Sequence, residues 1–239
     1  HGDYLSEYQL CLKHETEWKH IAERPWLAGG SMWSGIEYYG ETNGWPTVTS
    51  QFGVLDICRF PKDVYYYYVQ EWTVKPMVHI FPHWTWHGLE GEPIDVWCYS
   101  NCEEVELFLN GESLGRQHTE AYTHVSWDIP YTPGVLSVKG YISGRVAAER
   151  IIETAGPAHA LMACVDRTGI DADRRGVAFF TVSVIDERGI LVPDTEVLVR
   201  FDIVGAGKLV GISSGDPKDH RNVKGQEMQT FGGLALALV

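Results

Sequence analysis

The sequence predicts a mainly β chain with an α/β opening segment, and three observations lead there. From residue 77 onward the apolar residues alternate with period two, the side-chain repeat of a strand. Turn residues recur about every 8–12 positions, the spacing of a β-sandwich. Before residue 77, apolar residues fall at helical spacing on either side of one short apolar run.

Taken in order, Ser6 followed by Gln9 fits a capping box, and Cys11, His14, Glu15, Trp18, Ile21 and Ala22 fall at helical spacing. Pro25 ends that helix. Residues 27–33 follow as a continuous apolar run and read as a buried strand, so helix, tight turn and strand make the αβ half of a parallel α/β unit. Residues 40–54 form a long loop containing Gly44, Pro46 and Gly53. Pro61 stands in the first turn of a second helix that ends near Trp72, with Asp63 at its positive end. The tyrosines at 65–68 cannot all face one way, so this helix packs on two sides. One strand cannot make a sheet, and residues 1–75 therefore read as the C-terminal end of a larger barrel.

The alternating region begins with Ile94/Val96/Cys98 and Val105/Leu107/Leu109. Asn110-Gly111 then supplies a strong short hairpin signal. Val125/Trp127/Ile129, Leu136/Val138/Ile142 and residues 146–152 complete a first sandwich over 76–156, in which Glu103, Glu104 and Glu106 mark a solvent face. Gly156-Pro157 is a hinge. Beyond it, Ala160/Met162/Cys164, Phe180/Val182/Val184 and Val197/Val199/Phe201/Ile203 restart the pattern, giving a second sandwich over 157–239. The chain stops on LALALV, an apolar strand that invites either a buried edge or a missing neighbour strand, and the missing neighbour is the expectation.

Composition excludes more than it identifies. A net charge of −13 and a pI near 5.1 argue against nucleic-acid backbones and anionic membranes as partners. No apolar run approaches the ~20 residues of a membrane span, and HGDYLSEYQ is neither a translation start nor a targeting segment. Nine tryptophans suit sugar-stacking platforms and all-β cores alike. The cysteines at 11, 58, 98, 102 and 164 make no disulfide or metal framework and read as small buried hydrophobes. His79, His83 and His87 stand at four-residue intervals, but Pro82 forbids a continuous helix and Trp84 and Trp86 favour packing. Gly215-Asp216-Pro217 reads as a turn rather than a calcium loop. No metal and no cofactor is assigned.

The stretch most like the rim of a ligand site is RPWLAGGSMWSGIEYYGE, residues 24–41, where an apolar run enters a glycine-rich loop crowded with aromatics and acids. Glycoside hydrolysis needs two carboxylates flanking the scissile bond, and Glu37 and Glu41 are close in sequence. Opposed catalytic acids usually come from different barrel strands, so one of this pair reads as loop support and the other as solvated or bonded to a ring hydroxyl.

That stretch resembles the last strand of the catalytic barrel in glycoside hydrolase family 2, the β-galactosidases and β-glucuronidases. SQFGVLDICRFPKD, residues 50–63, resembles the family's following loop and helix. NCEEVELFLNGESLG, residues 101–115, resembles the immunoglobulin-like domain after the barrel. GAGKLVGISSGDP, residues 205–217, resembles the next one, where the family has an Asn at the position of Ser213 or Ser214. The blocks stand in the family's order and cover nearly the whole chain. The resemblance implies a barrel remnant followed by two immunoglobulin-like sandwiches, truncated at both ends, from an enzyme most like a bacterial β-galactosidase. Such an enzyme hydrolyses a terminal β-linked sugar through a covalent glycosyl intermediate.

It further implies that Trp33 matches the family's aromatic against the terminal sugar. Glu37 stands where the family usually has Asp, in a supporting role, and Phe52 approaches the same pocket, although plain packing is the stronger reading for Phe52. The family's acid/base Glu follows Asn on an earlier strand, and its nucleophile lies on the strand before this one. No Asn-Glu pair occurs here, and Ser6-Glu7 sits on a helix, so no catalytic residue is assigned and the isolated chain is predicted inactive. Implied partners are a β-linked oligosaccharide or galactoside, the rest of the barrel and further copies in a homo-oligomer. The implied compartment is periplasmic or secreted. The competing class is a non-catalytic carbohydrate-binding or subunit-assembly module, with Trp84, Trp86 or Trp97 exposed as coplanar rings. Trp97 alternates with Val96 and Cys98, so this class predicts that one face of that strand is wet.

Overall fold

A computed structural model describes residues 4–173 and 175–239, with side chains from Glu7 onward. Among the described residues, two helices and thirteen strands divide between two compact units. Of the described residues, one comprises 4–33 and Pro61–Thr154; the other comprises Ser34–Phe60 and 155–239. Strands dominate, and the fold is mainly β.

In the first unit, β1 (Val78–Phe81), β2 (Pro93–Ser100) and β5 (Val125–Pro130) form an antiparallel sheet in the order β1-β2-β5. A second sheet has the order β4-β3-β6-β7, from β3 (Glu104–Leu109), β4 (Glu112–His118), β6 (Val135–Ile142) and β7 (Arg145–Glu153). The predicted hairpin joins β3 to β4, with Asn110 and Gly111 both at positive φ. Alternation sends Val96 and Cys98, Val125, Trp127 and Ile129, Val105 and Leu107, and Leu136 and Val138 into one core shared by the two sheets. Each such burial contributes roughly 1.5–3 kcal/mol.

The other face of β2 is not wet. Helix α1 (Tyr4–Ala22) and helix α2 (Asp63–Trp72) cover it. Trp97 stacks on His124 at 3.5 Å and meets the Tyr8 ring at 4.5 Å. Tyr99 donates its hydroxyl to the buried Glu15 carboxylate at 2.8 Å, and Thr123 and His124 Nδ1 add hydrogen bonds of 3.1 and 2.9 Å. That knot fixes α1 on the sheet. Helix α2 packs on two sides, as its tyrosines predict. Tyr67 and Gln70 face the sheet, Gln70 accepting from Ser100 N–H at 2.7 Å, while Tyr68 bonds His14 of α1 at 2.6 Å.

Some expectations fail locally. Helix α1 starts before Ser6, which therefore lies inside the helix; its side chain and residues 1–3 are outside the described residues. Residues 27–33 form no strand; Leu27 is exposed and its N–H closes a turn onto the Arg24 carbonyl at 2.9 Å. A strand needs partners for its backbone groups, and this run has no ladder partner among the described residues. Strand β1 escaped the alternation because VHIF is four residues long and buried on both faces.

In the second unit, β8 (Ala160–Val165), β9 (Phe179–Ile185), β11 (Gly211–Ser213) and β13 (Leu234–Leu238) form a sheet in the order β11-β13-β9-β8. A ribbon pairs β10 (Leu198–Arg200) with β12 (Glu227–Gln229). Val182, Val199, Phe201, Ile212, Met228, Ala235 and Ala237 pack between them. The terminal LALALV segment holds β13, which pairs with β11 on one side and β9 on the other. Its apolar character fits that interior position. Asp186, itself buried, ties the unit's entry together by accepting N–H bonds from Gly156, Arg188 and Ile190 at 2.8–2.9 Å.

Candidate functional site

The loop that carries the rim motif folds as a paired segment within the second unit. Ser34 N–H donates to the Phe52 carbonyl at 3.4 Å, Glu37 N–H to Leu55 at 3.0 Å, and Val54 N–H to Ser34 at 3.2 Å. A parallel bridge joins Ile36 to Leu55, and an antiparallel one joins Tyr39 to Thr49. Gly53 makes this approach feasible. A Cβ there would stand 2.5 Å from Glu37 N and 2.8 Å from Glu37 Cγ, closer than side-chain carbons come.

These contacts bring Glu37 and Phe52 together. Glu37 is buried, and the half-buried Phe52 meets the Tyr38 ring edge-on at 5.9 Å. Glu41 is exposed at positive φ and accepts a hydrogen bond from the Tyr38 hydroxyl, so the two acids of this loop have different surroundings. Trp33 belongs to the first unit, with its ring 70% exposed. The histidines of the candidate metal motif are placed by aromatic packing: His79 stacks on Tyr66 at 3.6 Å and bonds Asp63 at 2.8 Å, and His83 lies against Trp86 at 4.6 Å.

Behind the loop, the turn after β11 closes in. Val48 N–H donates to the Pro217 carbonyl at 2.8 Å, and His220 Nε2 donates to the Pro46 carbonyl at 2.7 Å. Asp56 is buried and accepts from Phe60 N–H at 2.8 Å. A Cβ on Gly215, whose φ is +82°, would lie 2.2 Å from the Asp56 carboxylate. A cavity of about 10 Å³ remains, lined among others by Tyr39, Thr49, Ser214, Asp216, Asp219 and Arg221. Burial pushes the nearby Cys58 thiol up to about 12, which leaves it protonated and unreactive. Sequence reasoning gave no role to Asp56, Trp45 or His220: Asp56 lies inside the block 50–63, Trp45 in the loop 40–54, and His220 just beyond the SSGDP turn, which was read as a domain motif.

Comparison with known proteins places these observations. Residues 161–239 match the family model Glycoside hydrolase family 2 C-terminal domain 5, and residues 91–148 match a domain of unknown function, DUF4982. The beta-galactosidase BoGH2A of Bacteroides ovatus is 40% identical over 98% of this chain. This chain is a glycoside hydrolase family 2 C-terminal region.

The alignment spans only 28% of the Bacteroides ovatus protein. A beta-galactosidase of Thermoanaerobacter pseudethanolicus is 29% identical over 78% of the chain and 28% of its own length. Among solved structures, a beta-glycosidase from Bacteroides vulgatus superposes with a TM-score of 0.90 at 32% identity, over 94% of this chain and 29% of that one. The family 2 region described here therefore spans less than a third of these relatives. Two of the three tryptophans that the competing class needs exposed are buried. Trp84 is fully buried, donating Nε1–H to the Thr132 carbonyl at 3.0 Å, and Trp97 is 5% exposed.

Proposed function

We propose that this chain is the C-terminal part of a retaining β-glycosidase, β-galactosidase-like, acting on terminal β-linked sugars. In this reading residues 1–75 close a catalytic barrel, and residues 76–156 and 157–239 are immunoglobulin-like accessory sandwiches. Trp33 supplies an apolar wall for the terminal sugar, Phe52 flanks it, and Glu37 supports the loop from within. The two reacting carboxylates, about 5–5.5 Å apart in a retaining enzyme, come from the rest of the barrel. The observation that carries the reading is 40% identity to a named beta-galactosidase across 98% of the chain. The exposure of Trp33 supports it.

The test is kinetic. In a full-length protein carrying this segment, Trp33→Ala is expected to lower kcat/KM on a chromogenic β-galactoside about 10–100-fold, the loss of a stacking contact worth on the order of 1.5–3 kcal/mol. The 239-residue chain alone is expected to give no turnover above background. Turnover by the isolated chain, or a full-length enzyme that prefers a β-glucuronide, would redirect the assignment.

A further inference from the structure

We propose that the turn after β11, residues 214–221, is a latch that positions the loop 34–60, and that a single water held by Thr49 and Ser214 completes it. The inference rests on the reading of that loop as pocket wall and adds the device that holds it.

Three features of one compact unit converge. The distal part of the loop is bonded within itself, Gly40 N–H to Val48, Thr47 N–H to Gly44, Asn43 Nδ2 to Gln51 and the Tyr38 hydroxyl to Glu41. The turn ties that self-bonded segment down from outside, through Pro217 O to Val48 N–H and His220 to Pro46 O. A carbonyl only accepts, so His220 carries its proton on Nε2, and its ring also packs on Trp45 at 4.8 Å. Second, Gly215 lets the turn's backbone come against the Asp56 carboxylate, an approach that any side chain would block. Third, Thr49 Oγ1 and Ser214 Oγ are buried, at residues 2% and 3% exposed, without a hydrogen-bond partner, and both residues line the same cavity. Two such hydroxyls are costly unless satisfied. About 10 Å³ accommodates one water and nothing larger, and the polar lining provides its partners. A pocket loop fixed from behind is ordered before substrate arrives, which lowers the entropy of binding.

Hydrogen exchange on this chain tests the latch without reference to catalysis. His220→Ala is expected to accelerate exchange at the Gly40 and Val48 amides about tenfold, the effect of losing one hydrogen bond, with β8, β9 and β13 unchanged. His220→Gln, whose amide N–H reaches the Pro46 carbonyl, is expected to restore protection. Equal exchange in all three proteins overturns the latch, and so does acceleration that includes the strands or that Gln fails to rescue. A crystal structure with no ordered water between Thr49 and Ser214 overturns the water bridge. In the full-length protein the positioning role requires His220→Ala to raise KM several-fold with a smaller change in kcat, again rescued by Gln; an unchanged KM overturns it. If the unaltered full-length protein cleaves no β-glycoside, the enzymatic reading fails while the exchange result stands by itself.

Discussion

Gly53 is where the loop's geometry is most sharply constrained. Its hydrogen occupies space that a methyl group would contest with the Glu37 backbone. Gly53→Ala is expected to destabilise the unit by about 1–3 kcal/mol and to raise exchange at the Glu37 amide, both readable by thermal melting and hydrogen exchange. Glu15 is the counterpart in the other unit, accepting from Tyr99, Thr123 and His124 while almost fully buried. Glu15→Ala leaves those donors without their acceptor, and a loss on the order of 3 kcal/mol is expected in denaturant titration. Tyr99→Phe removes one donor and is expected to cost about 1 kcal/mol. Neither role was legible beforehand. Glu15 reads as one polar residue on a helix, and nothing local in the sequence announces the hydroxyl and imidazole that meet it from residues 99, 123 and 124.

At the scale of elements, the strands that alternate over six or more residues could be read directly, and those of three or four, β10 excepted, could not. β2, β3, β5, β6 and β7 follow from apolar residues two apart, because one face of each reaches a shared core. β1, β11 and β12 carry too few residues for a period to register. The run at 27–33 shows the opposite error: its apolar content is strand-like, but strand formation is a property of pairs. The turn 186–190 offers a test at this scale. N–H groups from Gly156, then Ile190 and Arg188, with the Arg188 guanidinium, lower the Asp186 carboxyl to about 2. A folded-state value below the ordinary one adds stability that is complete above the unfolded value near 3.8 and disappears as pH falls through about 2. Asp186→Asn is expected to flatten the unit's melting temperature across that acid window. Glu7 behaves in the reverse sense. Burial, then the Asp63 charge, raises its carboxyl above 4.5, so its protonated form favours the folded state and that contribution fades as pH rises.

For the molecule as a whole, family membership was legible where fold detail was not. Short blocks in one order carried the resemblance, and a relative at 40% identity over 98% of the chain matches it. The interleaving of the two compact units was not legible, because nothing local in residues 34–60 announces that they pack with residues 155–239. The units divide at 33/34, 60/61 and 154/155.

That interleaved order constrains how the protein can be dissected. Residues 34–60 lie between two stretches that belong to the other unit, yet they pack with residues 155–239. A polypeptide cut out at Ala155, or at the family boundary of residue 161, would leave behind the strip whose Tyr39, Val48 and Thr49 line one cavity with Ser214 and Met228. Such a piece is expected to refold poorly by itself and to recover when a peptide of residues 34–60 is added in trans. Shuffling this module between enzymes would accordingly mean carrying two separate lengths of gene rather than one.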